Sequence, residues 1–221
     1  KVKGIKKKYN DKIFYTGNPI RPEIFKYKKD YKTHHQDGFL NLLIFGGSQG
    51  ASFFSDIIPD SINKLDNTKK SLLRVFHQVR NNEFERVKKC YHSMNVKSEV
   101  KTFFYNLPEL LNNSHLLISR SGASTVAEVA ATKTPAIFIP FHHSIDDDQR
   151  LNTIELEKIG QVIVKNEKKL DSNQLHKVID ELIEKPEILE KMAKANKEIV
   201  ANNSSEKIRS IIDDLLSNRE L

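Results

Sequence analysis

The stretch FLNLLIFGGSQGA, Phe39–Ala51, decides the fold. Apolar side chains at nearly every position from Phe39 to Phe45, not at every second one, are the pattern of a strand buried on both faces. Gly46, Gly47 and Gly50 then permit a tight turn, and Ala51–Leu65 reads as a helix. Strand, glycine turn and helix together form the opening unit of a parallel α/β sheet. The same unit leaves backbone N–H groups at a helix N-terminus, beside the Ser48 hydroxyl, and that arrangement suits a phosphate.

Outward from this unit the alternation continues. Leu72–Phe76, Val100–Phe104, Leu116–Ser119, Ala136–Pro140 and Gln161–Val164 read as strands bounded by Gly, Pro, Asn or Ser. Asn82–Met94, Thr125–Ala131 and Asp147–Ile159 read as the helices between them. The expected fold is α/β, a doubly wound, Rossmann-like parallel sheet with helices on both faces. Beyond Lys165 the strands stop. Asp171 and Gln174 form a capping box that opens a helix to about Glu184, Pro186 opens the next, and Asn203 with Glu206 marks a third running to about Ser217. The organisation expected is a basic linker and leading segment over 1–35, a Rossmann-like domain over 36–168, and a helical C-terminal tail over 169–221 packed on the same domain.

Composition supports a folded domain. Of 221 residues, 38% are hydrophobic and 29% charged, which is globular rather than disordered. The single cysteine, Cys90, excludes an intrachain disulfide framework and an all-cysteine zinc site. No apolar run approaches the ~18 residues of a membrane helix, and no secretory signal is expected. Beginning at Lys1 rather than Met, the chain reads as a piece of a longer protein. Charge is uneven: residues 1–35 carry eleven Lys/Arg against three Asp/Glu, and the whole chain is +7. That leader is either a solvated lysine-rich linker or a segment lying near anionic lipid headgroups, at ~1 kcal/mol per well-placed lysine. Nucleic acid is not an expected partner, because the leader's aromatics (Tyr9 to Tyr31) lack the spacing of a reading module.

Three further constellations carry chemistry. Arg120-Ser121-Gly122-Ala123-Ser124-Thr125-Val126-Ala127-Glu128 is a second glycine turn into a helix. Thr125 and Glu128 match a capping box, so Glu128 either caps or faces a ligand. Two such turns in one parallel sheet aim their helix N-termini at the same carboxyl edge, where these sheets bind ligands. Two positive helix ends suit a diphosphate, and a carboxylate there suits a ribose diol. In Phe141–Asn152, Gln149 and Asn152 share a helix face as amides able to read sugar hydroxyls. The neighbouring His142-His143 and Asp146–Asp148 runs look metal-like, but no complete ligand set with known spacing appears, and no metal is expected. Thr16-Gly17-Asn18-Pro19-Ile20-Arg21 is a turn ending in an arginine.

Two rival readings fail on context. Gly46–Gly50 also fits the G-x-S-x-G elbow of serine hydrolases, yet too little chain precedes Ser48 to supply the upstream strands, and the triad would need Asp146–Asp148 and His176. A dinucleotide fold lacks the G-x-G-x-x-G order here and the acidic residue after the second strand, which ends in His77-Gln78.

Taken in order, Thr16–Arg21, Gly46–Ala51, Arg120–Glu128 and the Gln149-x-x-Asn152 helix start closely resemble the family 28 glycosyltransferases, UDP-N-acetylglucosamine transferases of bacterial peptidoglycan synthesis. The resemblance runs from about Phe14 to Gly160. It implies one half of a GT-B fold, the C-terminal donor-binding domain. Arg21 and Ser48 would contact the donor diphosphate, with N–H groups from Ala123, Ser124 and Thr125. Val126 and Ala127 would belong to the same substrate-binding segment, which ends at Glu128, and Glu128 would hold the ribose. Phe104 would lie where backbone groups recognise uracil, and Gln149 with Asn152 would read the N-acetylglucosamine hydroxyls. The implied reaction is inverting and metal-independent, with no cofactor. It transfers the sugar from UDP-N-acetylglucosamine to the 4-hydroxyl of an undecaprenyl-linked muramyl-pentapeptide. The resemblance places that reaction in the cytoplasm, at the inner face of the bacterial membrane. The acceptor site, the contact with the anionic membrane surface and the catalytic base are expected on the N-terminal domain. Two departures stand out: His77-Gln78-Val79-Arg80 replaces the family's His-Gln-Ser/Thr-Gly, and Asp148 stands where some members carry a second Gln. The alternative is a nucleotide or nucleotide-sugar binding module with no reaction of its own.

Overall fold

In a computed structural model, which describes residues 12–27, 31, 37–47, 52–143, 147–196 and 204–217, strand β1 (Leu40–Phe45) is buried along its whole length. Side chains alternate across a strand, so both of its faces need cover. Leu40, Leu42 and Ile44 join a core with Phe54, Ile58, Val87 and Leu175, while Leu43 and Phe45 are buried on the opposite side. Around β1 stand β2 (Leu73–Gln78), β3 (Lys97–Lys101), β4 (Leu116–Ser119), β5 (Ala136–Phe138) and β6 (Val162–Val164). All pairs are parallel, in the order β3-β2-β1-β4-β5-β6.

Helix α1 (Glu23–Lys26) precedes the sheet, and α2 (Ser52–Asn63), α3 (Asn67–Leu72), α4 (Phe84–Ser93), α5 (Leu107–Asn113), α6 (Ala123–Thr132) and α7 (Asp148–Lys158) connect its strands. One layer holds α2 and α4; the other holds α1, α5, α6 and α7, which contact one another in sequence. Helix α8 (Ser172–Glu184) opens with the expected capping box: Gln174 N–H donates to Asp171 Oδ1 at 2.7 Å, and Asp171 N–H donates to Gln174 Oε1 at 3.2 Å. Its Leu175, Ile179, Leu182 and Ile183 enter the core beside α2, each burial worth about 1.5–3 kcal/mol. Helix α9 (Pro186–Ala195) adds Leu189 and Met192.

Arg21–Val200 forms one compact unit, and Lys1–Ile20 with Ala201–Leu221 forms another. In the second, α10 (Ser204–Ser217) leaves Ile212, Leu215 and Leu216 exposed. Gly17 there has φ +75°, and a Cβ on it would meet Ser204 Oγ at 2.8 Å, so both conformation and space call for glycine. Among the described residues no helix is long and apolar enough to cross a membrane.

Two expectations are corrected. The third strand is Lys97–Lys101, not Val100–Phe104. Among the described residues it pairs only with β2, and its charged, largely exposed residues suit a sheet edge, while Phe104 is buried within the loop that follows. Thr125 and Glu128 do not form a capping box. Helix α6 starts at Ala123 with Gly122 as an N-cap that makes no side-chain bond, and the Glu128 carboxylate is engaged elsewhere. The short α3 and α5 were not anticipated.

Candidate functional site

The strand order reverses between β1 and β4, and in an open parallel sheet that switch point is where a crevice forms at the carboxyl edge. The β1–α2 turn and the β4–α6 turn flank it. Gly47 has φ +88°, a conformation that favours glycine, and among the described residues no atom lies within 4 Å of a Cβ built on Gly47 or on Gly122. A ligand can therefore approach the backbone at Gly47 and at Gly122. Ser48 lies outside the described residues. Ala123 and Ser124 are exposed and Thr125 half-buried in the first turn of α6. The Ser124 and Thr125 N–H groups have no partner among the described residues, as expected of a helix start. Val126 is buried, and its N–H donates to Gly122 O at 3.0 Å. Ala127 lies further along the helix.

Glu128 and Arg21 meet across 107 residues of sequence. Arg21 Nε donates to Glu128 Oε1 at 2.6 Å and Arg21 Nη2 to Oε2 at 2.8 Å, a bidentate pair. The Glu128 side chain is 6% exposed and that of Arg21 47%, so the carboxylate is held from within and the guanidinium reaches outward. The pairing leaves Arg21 Nη1 for a second anion. A carboxylate offers about four lone-pair sites, so Glu128 keeps acceptor capacity for hydroxyls.

Gln149 and Asn152, on the first turns of α7, are tied to the same turn. Phe141 N–H donates to Gln149 Oε1 at 3.0 Å, Ser121 Oγ–H donates to the Gln149 carbonyl at 2.8 Å, and Asn152 Nδ2 donates to Ser121 O at 3.1 Å. The Phe141 N–H can donate only to the Gln149 oxygen and the Ser121 carbonyl can accept only from the Asn152 nitrogen, so both amide orientations follow. Gln149 is left with its amide nitrogen and Asn152 with its oxygen, a donor and an acceptor.

A buried ion cluster backs this corner, and sequence reasoning missed it. Arg120 Nη2 bonds Glu167 Oε1, and Arg120 Nη1 donates to Ile139 O at 3.0 Å and toward Pro140 O at 3.4 Å. The guanidinium lies 5.0 Å from the ring centroid of Phe54 and 5.3 Å from that of Phe141. Glu167 Oε2 accepts from the His142 N–H at 3.1 Å and contacts His142 Nδ1 at 2.7 Å. Burial alone would raise the Glu167 carboxyl, but hydrogen bonds from Arg120 and His142 outweigh it and hold it below the usual carboxylate range. Beside the cluster, Phe141, His142, Arg150, Lys165 and Glu167 help line a cavity of about 370 Å³. Arg120 stands inside a recognised motif, but nothing local marks Glu167.

At the other end of the edge, Phe104 is buried between exposed Phe103 and Tyr105. Gln78 Nε2 donates to Thr102 O at 3.2 Å and Val79 N–H to Lys101 O at 2.9 Å. Arg80, where the family has Gly, has φ −73°, so this loop makes no demand for glycine there. His77 is fully buried, with Nδ1 2.9 Å from Tyr91 Oη, and burial pushes its pKa down to about 3.

The chain matches the glycosyltransferase family 28 C-terminal domain over residues 41–215. It is 35% identical over 215 residues to the UDP-N-acetylglucosamine–N-acetylmuramyl-(pentapeptide) pyrophosphoryl-undecaprenol N-acetylglucosamine transferase of Bartonella henselae, covering 97% of this chain and 57% of that one. With the relative of the same name from Chelativorans sp. it shares 34% over 210 residues, 95% of this chain and 56% of the other. Among solved structures, MurG of Acinetobacter baumannii matches with a TM-score of 0.69 at 25% identity, over 84% of this chain and 55% of that one. The chain spans about half the length of the curated relatives it matches.

Proposed function

The chain belongs to glycosyltransferase family 28, as a C-terminal domain, and on that premise we propose that it is the donor-binding half of a GT-B transferase of peptidoglycan synthesis. Its donor is UDP-N-acetylglucosamine, and the acceptor is the 4-hydroxyl of a lipid-linked muramyl-pentapeptide. The observation that carries this reading is the arrangement at the switch point. Open backbone at Gly47 and Gly122, the α6 N-terminus and the Arg21–Glu128 pair come to one carboxyl edge, with a donor amide and an acceptor amide on the adjacent turn. Diphosphate, ribose and sugar each find a complementary group there.

In the reaction so read, the acceptor oxygen attacks C1 from the face opposite the leaving group. The C1–O bond breaks, its electron pair leaves with UDP, and the configuration inverts. The acceptor's proton goes to a base on the partner domain. Arg21 and the first-turn N–H groups of α6 stabilise the charge that develops on the diphosphate, as preorganised donors do in a water-poor site. Ser48 adds its hydroxyl, Glu128 holds the ribose, and the loop at Phe104 borders the base. Location at the cytoplasmic face of the cell membrane, and roles in cell shape and division, follow from the same reading.

Calorimetric titration with UDP, UDP-N-acetylglucosamine, NAD and ATP tests it. The expected order is tightest binding of UDP-N-acetylglucosamine, then UDP. Equal or tighter binding of NAD would sink the reading.

A further inference from the structure

The residues that leave β5, Ile139–His142, are pinned one after another. Arg120 holds the carbonyls of Ile139 and Pro140, Glu167 holds the His142 N–H, and the intervening Phe141 N–H is spent on Gln149 Oε1. Two consecutive peptide N–H groups are thus fixed, one by a carboxylate from beyond β6 and the other by the amide that faces the donor site. Glu167 joins three strand ends, because its other oxygen takes Arg120 from the end of β4. Its side chain is 8% exposed and its carboxyl is held in the charged form.

We infer that Glu167 is a positioning residue for sugar selectivity: by clamping His142 it fixes the Phe141 N–H that orients the Gln149 amide, so that Gln149 presents its nitrogen as a donor to a sugar hydroxyl. The inference rests on the donor-binding reading above. Without Glu167, the His142 N–H loses its acceptor and Arg120, which holds the Pro140 carbonyl of the same peptide as the Phe141 N–H, loses its carboxylate, so the Gln149 amide loses its fixed orientation. The nucleotide contacts proposed above, from Arg21, Glu128 and the α6 N-terminus, are made by none of the residues in this chain of bonds. Loss of Glu167 therefore lowers the increment that the sugar adds, not the affinity for UDP.

The test is a double-mutant cycle on the full chain, titrated with UDP and with UDP-N-acetylglucosamine. Glu167→Gln keeps the volume but turns one acceptor into a donor facing either Arg120 or His142. It is expected to leave UDP affinity within about twofold and to cut the advantage of UDP-N-acetylglucosamine over UDP about three- to tenfold, the worth of one misaligned hydrogen bond. On a Gln149→Ala background the same change is expected to cut nothing further. Glu167→Asp keeps the charge facing Arg120 while withdrawing the oxygen from His142, and reports the same loss if the Gln variant folds poorly. An undiminished sugar advantage in both Glu167 variants, or full additivity with Gln149→Ala, would overturn the inference and leave the donor reading intact. A wild-type chain that gains nothing from the sugar would instead bring down the donor reading and this inference with it.

Discussion

The two ends of the sheet's carboxyl edge bury polar groups in opposite ways. At the end of β2, His77 is interior and neutral, with one partner, Tyr91 Oη, and an Nε2 that has none among the described residues. At the ends of β4 and β6, Arg120 and Glu167 are interior and charged, and each makes several bonds. Burial of a lone imidazole disfavours its charged form, whereas a buried charged pair is secure until one member is removed. The first arrangement is vulnerable to acid and the second to mutation.

The largest effect is expected from Arg120→Ala. It leaves the Glu167 carboxylate buried with only His142 beside it, and removing one partner of a buried pair typically costs about 3–5 kcal/mol. Urea denaturation at pH 7 measures it. Replacing both residues with apolar ones, Arg120→Met with Glu167→Leu, is expected to recover much of that loss, because no orphaned charge remains. A cost below ~1 kcal/mol for Arg120→Ala would erase the proposed difference between the two ends.

Acid separates the ends next. The folded-state pKa of His77, about 3, lies below its ordinary value of 6.5, so its contribution to stability is complete above pH 6.5. As pH falls from there toward 3, up to ~1.4 kcal/mol is lost per unit. Glu167 is also depressed, so its contribution is complete above its ordinary value of 4.5 and is lost only as pH falls from there toward its lowered folded value. Between pH 7 and 4.5 the loss is therefore expected at the β2 end, about 1–3 kcal/mol in all. Denaturation midpoints across that range should fall steadily in the wild type, and His77→Gln should flatten the slope. An unchanged slope in the variant would place the acid sensitivity elsewhere.

The contrast also marks what the sequence could reveal. Strands β1 and β4 and helix α8 were legible because their signals are local: consecutive apolar residues, a glycine turn, a capping box within four positions. Strand β3 was misread because Val100–Phe104 is the more apolar stretch, whereas the residues that pair with β2 are the charged ones before it. Glu128 matched a local cap, but its partner is an arginine 107 positions away, and a bidentate charged pair outweighs a cap. The recognised motifs name the two turns that flank the switch point. The Glu167 clamp depends on strand order, and residue types alone carry no trace of it.

The smallest effect is expected within three adjacent residues of the β2–β3 end. Phe104 is 4% exposed and Tyr105 93%, so neighbouring rings meet opposite environments. Tyr105 touches Phe103 edge-on, with centroids 4.9 Å apart, and Phe103 is itself half exposed. Truncating such a ring removes little buried area, and Tyr105→Ala is expected to change stability by less than about 0.5 kcal/mol. Thermal melting, where that corresponds to less than about 2 °C for a chain of this size, is the measurement. A larger shift would mean that the exposed rings belong to the packed fold. An unshifted melting temperature together with weakened UDP binding would give the Tyr105 ring to the ligand instead: an aromatic face standing free beside the loop proposed to border the base is stabilised by stacking only once a base arrives.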